Sequence, residues 1–140
     1  VTILVAVFAG ILTYVVSIKV GKRYTVLEWA DAIGLSLFCV MGTSKSLALT
    51  GDPVIAVTLG VVTAVVGGIL RDVICNEIPL ILKREVYATA ALMGAIIYCG
   101  GIGMGLEETL ALVLGGLAAF AVRSSALIFG WSLPIRERKA

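Results

Sequence analysis

The residues able to do chemistry in this chain are few, and most of them interrupt long apolar stretches. Asp31, Ser36, Thr43 and Lys45 fall in one stretch, and Thr63, Gly67, Gly68, Arg71 and Asp72 in the next. Arg123, Ser124 and Ser125 fall in the last. Their spacing is helical. Asp31, Gly34, Phe38, Gly42 and Lys45 follow at steps of 3, 4, 4 and 3, with Ser36 and Thr43 on an adjacent stripe, and Gly60, Thr63, Gly67 and Arg71 follow at 3, 4 and 4. Such a face of hydroxyls, bare backbone and fixed charge can line a hydrated pathway or hold a small polar substrate, because polar groups inside a membrane face other helices or water. The plainer alternative is adhesion between helices, with Lys45 snorkelling outward and Arg123 either snorkelling towards the cytoplasmic interface or pairing with Asp72. Gly67-Gly68 ahead of Arg71-Asp72 adds a further signal: successive glycines weaken a helix, and a break at membrane depth survives only where it is buried or lines a cavity.

Other chemistry is excluded or unsupported. There is no histidine, and Cys39, Cys75 and Cys99 lie far apart without a CxxC pairing. These cysteines read as small packed hydrophobes, with no disulfide, metal site or cofactor indicated. No nucleophile and base stand together, so an enzyme is not expected. A net charge of +2, with no basic run interleaved with aromatics, gives no reason to expect nucleic acid.

The elements that must position these residues follow from composition. Sixty per cent of the residues are apolar and 14% are charged, with a mean hydropathy of +1.10. A soluble domain carries about a quarter charged residues. The apolar residues come in blocks close to the ~20 needed to cross a bilayer. The fold class is therefore an all-α, polytopic transmembrane bundle in a single domain, with five spans at about 1–18, 29–50, 53–73, 86–99 and 107–131. Gly51-Asp52-Pro53 is short enough to force an antiparallel hairpin between the second and third spans, with Asp52 as helix cap and Pro53 in the first turn. Val1 stands inside a hydrophobic run with no signal-peptide features, so further spans are expected ahead of it.

Basic residues alternate between the connections. Lys19, Lys22 and Arg23 follow the first span, and Arg71, Lys83 and Arg84 the third. Arg136, Arg138 and Lys139 follow the fifth, while the Gly51-Asp52 turn and residues 100–108 have none. This pattern predicts a multi-pass protein of the cell membrane with its C-terminus in the cytoplasm. Trp29 and Trp131 fall at cytoplasmic helix ends, where an aromatic belt belongs.

The string from Leu59 to Val73, with Gly67-Gly68, two residues, then Arg71-Asp72, followed by Asn76-Glu77-Ile78-Pro79, resembles the bacterial and archaeal trimeric intracellular cation (TRIC) channel family. That family shares its sequence domain with proteins labelled glycine transporters. Asp31 to Phe38 resembles the helix preceding the motif, and the similarity covers about residues 27–100. The resemblance implies two inverted repeats of three helices plus one more. On this template residues 1–18 are the last helix of repeat one, 29–99 are repeat two and 107–131 are the terminal helix. It also implies a homotrimer with a pore in each subunit passing monovalent cations, chiefly K⁺, with broken glycine-cluster helices around the pore and membrane lipid as surroundings or bound partner. Val66 departs from the family, which often has a third glycine there. The expected pathway residues are Ser36, Thr43, Lys45, Thr63, Gly67, Gly68, Arg71 and Asp72. A carrier for glycine or a similar zwitterion would use the same residues, with a broken helix end holding carboxylate and Asp holding ammonium.

Overall fold

The computed structural model describes residues 2–4, 7–8, 11, 23–74 and 86–130. Four helices follow in order: α1 (Arg23–Thr50), α2 (Pro53–Ile74), α3 (Val86–Gly103) and α4 (Glu108–Phe129). Each contains a stretch long and apolar enough to cross a membrane, 18 to 23 residues in length. At 1.5 Å per residue, 22 residues reach about 33 Å, enough for the ~30 Å hydrocarbon layer. The described part is all-α, as expected. Most of the first expected span lies outside the described residues. So do Cys75, the Asn76-to-Pro79 stretch, Lys83, Arg84, Trp131 and the basic tail. The chain divides into two compact units, Val1–Asp31 and Ala32–Ala140, and the packing below belongs to the second.

The helix boundaries have local causes. The α1–α2 turn is the anticipated one. Gly51 takes φ +69°, a left-handed conformation costly for a residue with a Cβ, and its N–H donates to Leu47 O at 2.9 Å. The Asp52 carboxylate accepts from Val54 N at 2.8 Å and Ile55 N at 3.4 Å, capping α2, and Pro53 opens the helix where no N–H is needed. α1 starts at Arg23, earlier than the 29 expected, because helix propensity carries beyond the apolar window that marked the span. α3 runs through its glycines to Gly103. Gly105, at φ +86°, then reverses the chain into α4, whose first turn carries Glu108, matching the positive helix end.

Small residues let the helices approach closely. α3 and α4 pack antiparallel, and a methyl added to Gly94 would lie 2.7 Å from Ala119 Cβ and 2.8 Å from Gly115 O. The α1–α2 seam is built from reciprocal pairs: a methyl on Gly60 would lie 1.9 Å from Thr43 Oγ1, and one on Gly42 would lie 3.1 Å from Thr63 Cβ. In lipid there is no hydrophobic drive between helices, so such close van der Waals packing holds the bundle together. Leu35, Cys39, Ala64, Tyr87, Ala90, Ala91 and Ala95 form the core between α1, α2 and α3. Cys39 is buried and its thiol donates to Ala91 O at 2.8 Å, linking α1 to α3.

Candidate functional site

α2 has two faces of different character. Ala56, Gly60, Ala64, Gly68 and Asp72, each four residues from the last, are buried against the other helices. Thr63 and Gly67, also four apart, are exposed, and a methyl on Gly67 would meet nothing within 4 Å. The residues expected to line one pathway are thus distributed over two surfaces.

On the buried side, the helix does not break at Gly67-Gly68. α2 is continuous from Pro53 to Ile74, and the expected break is corrected to a packing site. A methyl on Gly68 would lie 2.1 Å from Tyr87 Oη, so the missing side chain makes room for a tyrosine from α3. The two glycines have different neighbours, one the Tyr87 hydroxyl and the other open space, so neither needs a change of backbone path. Tyr87 is 2% exposed, and on its other side the Arg123 guanidinium sits 5.2 Å from the ring centroid, a cation–π arrangement. Arg123 is fully buried, so the snorkelling position expected for it is not the one it takes. One turn beyond Gly68, Asp72 is 2% exposed. Its Oδ1 accepts from Arg71 Nε at 2.8 Å and from Arg71 Nη2, so the arginine next to it in sequence is held by the aspartate.

The remaining expected residues are placed as follows. Ser36 and Thr43 are buried, and each hydroxyl donates to its own helix, Ser36 to Ile33 O at 2.8 Å and Thr43 to Cys39 O at 2.7 Å. Thr43 is wedged against Gly60, so at that level the stripe is interhelical contact. Thr63 donates to Leu59 O at 2.7 Å on the exposed side. Lys45 is exposed, and its neighbour Ser44 donates to Glu108 Oε1 at 2.9 Å, tying α1 to the start of α4. Asp31, with Glu28, is buried in α1 within the N-terminal unit. Among the described residues no group of His, Cys, Asp and Glu is arranged to hold a metal ion.

Sequence reasoning passed over Tyr87. A tyrosine at the start of a short span has no spacing that ties it to a glycine on another helix. The usable signals were indirect: a bulky-free position at Gly68 and an arginine, Arg123, deep in a span.

Comparison with known proteins settles the family. Residues 28–102 match the family described as "Glycine transporter". The backbone superposes on the TRIC trimeric intracellular cation channel orthologue from Rhodobacter sphaeroides with a TM-score of 0.79 and 44% identity, over 86% of this chain and 62% of that one. The chain belongs to the TRIC channel family. A second solved structure, described in terms of conductance through TRIC cation channels, matches with a TM-score of 0.77 and 36% identity, over 97% of this chain and 66% of that one. Among curated relatives, a UPF0126 membrane protein of Vibrio cholerae is 39% identical over 109 residues, 78% of this chain and 46% of its own length. The inner membrane protein YadS of Escherichia coli is 35% identical over 137 residues, 94% of this chain and 65% of its own length. The chain therefore spans between 46% and 66% of the length of these relatives. It is a multi-pass membrane protein.

Proposed function

We propose that this protein is a membrane channel for monovalent cations, chiefly K⁺, working as a homotrimer with a pore in each subunit. It sits in the cell membrane with its C-terminus in the cytoplasm. The observation that carries the reading is the division of α2: an apolar spanning helix leaves bare Gly67 exposed, and Thr63 exposed beside its contact with Gly42 of α1, and ends in the buried Asp72, held to Arg71. The 44% identity to a TRIC channel supports it. The pathway follows the Thr63–Gly67 face, where hydroxyl oxygen and backbone meet the ion. Asp72 supplies negative charge near the inner mouth, and its grip on Arg71 keeps that cation from facing the ion alone. Lys45, exposed on the opposite half of the hairpin, acts as a repulsive gating charge. Ser36, Thr43 and Gly68 shape this pathway from behind by fixing the helices that form it.

A carrier for glycine is the second reading, favoured by the description of the family matched at residues 28–102. The intact protein in planar bilayers under a K⁺/Na⁺ gradient separates the two. Voltage-following current that reverses near the cation potential supports the channel. Saturable uptake competed by glycine analogues, without such current, supports the carrier. A cysteine at position 138 that reacted from outside intact cells would overturn the orientation.

A further inference from the structure

Three helices meet at one chain of contacts: Gly68 on α2, Tyr87 on α3 and Arg123 on α4. The Tyr87 hydroxyl fills the volume that a methyl at position 68 would need, with Oη at 2.1 Å and Cζ at 3.0 Å from it. The face of the same ring carries the Arg123 guanidinium at 5.2 Å. Tyr87 is 2% exposed and Arg123 0%, so neither side chain has an open direction in which to swing. A charged group inside a spanning helix is costly and is kept where it has a task. We infer that Arg123 is a charge-positioning residue for cation permeation, fixed by Tyr87, which is in turn seated by the bare backbone of Gly68. This rests on the channel reading and adds to it a residue outside the family motif.

The geometry gives the charge a defined place. It is held through Tyr87 on the Gly68 side of α2, and Asp72 follows Gly68 by one turn of the same face. The ions proposed to pass do so on the Thr63–Gly67 side of the same helix, roughly 10–15 Å away across a helix diameter. A fixed positive charge at that distance, in a medium of effective dielectric about 20, opposes a cation by an amount worth about tenfold in local ion occupancy. Asp72 offsets part of that field, so the pair sets the potential of the inner half. The serine pair following Arg123 does not share this role, since Ser124 and Ser125 donate to Phe120 O and Ala121 O of their own helix.

The test uses the intact protein in bilayers, with thermal unfolding of the detergent-solubilised protein measured alongside. R123Q should raise single-channel cation conductance, by up to about tenfold at low ionic strength and less at high salt, where screening removes the difference. R123K should return conductance towards wild type. Y87L and G68A should both shift conductance, because each releases the guanidinium from its seat, and their destabilisations should be less than additive in the double variant. Equal conductance in R123Q and R123K, with effects that follow stability alone and do not depend on salt, would make Arg123 a packing residue and overturn the inference. A wild-type protein that carries no cation current defeats the channel reading and this role together. Conducting wild type with unaltered R123Q defeats only this one.

Discussion

The two faces of α2 use similar residues for opposite ends. On the buried face, Gly60 and Gly68 exist because Thr43 and Tyr87 occupy the space a side chain would take. On the open face, a methyl added at Gly67 would meet nothing within 4 Å among the described residues, so packing among them does not account for it. Thr43 and Thr63 divide the same way. Both bond to their own helix, yet one is fully buried against α2 and the other is exposed. Polarity and smallness in a membrane helix therefore do not identify a pathway until the face is known. A shift of one residue, from 67 to 68, exchanges one role for the other.

Substitutions can break or sharpen this contrast. The largest effect should come from a site that is purely packing: Gly94→Val drives a side chain towards Gly115 O and Ala119 Cβ, and should cost about 3 kcal/mol or prevent assembly, read as lost thermal stability of the purified protein. Next, Gly68→Ala should destabilise by roughly 1–3 kcal/mol through Tyr87. Gly67→Ala should leave stability unchanged or raise it by up to ~1 kcal/mol, as alanine favours helix, while lowering cation current. Equal stability losses at 67 and 68 would erase the distinction between the faces. Asp72→Asn should weaken the hold on Arg71 and reduce inward-mouth cation flux, with a smaller loss of stability. Lys45→Ala, at an exposed position, should leave thermal stability within ~0.5 kcal/mol of wild type and raise cation conductance or open probability. An unchanged current there would remove lysine from the gating role.

Much of the architecture was legible beforehand because it depends on local rules. Gly51-Asp52-Pro53 announces a capped hairpin by residue type alone, and Glu107-Glu108 marks the start of α4 for the same reason. The apolar blocks fix the spans within a few residues, although α1 reaches back to Arg23 where composition no longer distinguishes lipid-facing from merely helical sequence. The Gly67-Gly68 expectation failed for a physical reason: the conformational freedom of glycine permits a break but does not compel one, and the i→i−4 ladder persists when a neighbour fills the gap. The Arg71–Asp72 pair was legible since the residues adjoin. The Gly68–Tyr87–Arg123 contact was not, because its members lie 19 and 36 positions apart in sequence with no shared periodicity. Ser36 and Thr43 were recognised as polar, but which helix receives their hydrogens depends on side-chain geometry that spacing does not carry.

That last point has a consequence for the proposed channel. Ser36, Thr50, Thr58, Thr63, Ser124 and Ser125 each commit their hydroxyl hydrogen to a carbonyl of their own helix. A hydroxyl so engaged presents only lone pairs outward. It can replace a water in the shell of a metal cation, but it has no hydrogen to pass to a neighbour. A relay of protons from hydroxyl to hydroxyl would require each of these bonds to be undone in turn, while a desolvating metal cation of the kind proposed above needs none of them to move. On the channel reading, the exposed hydroxyls of Thr50, Thr58 and Thr63 are thus chemically one-sided, receptive to positive ions and a poor wire for acid.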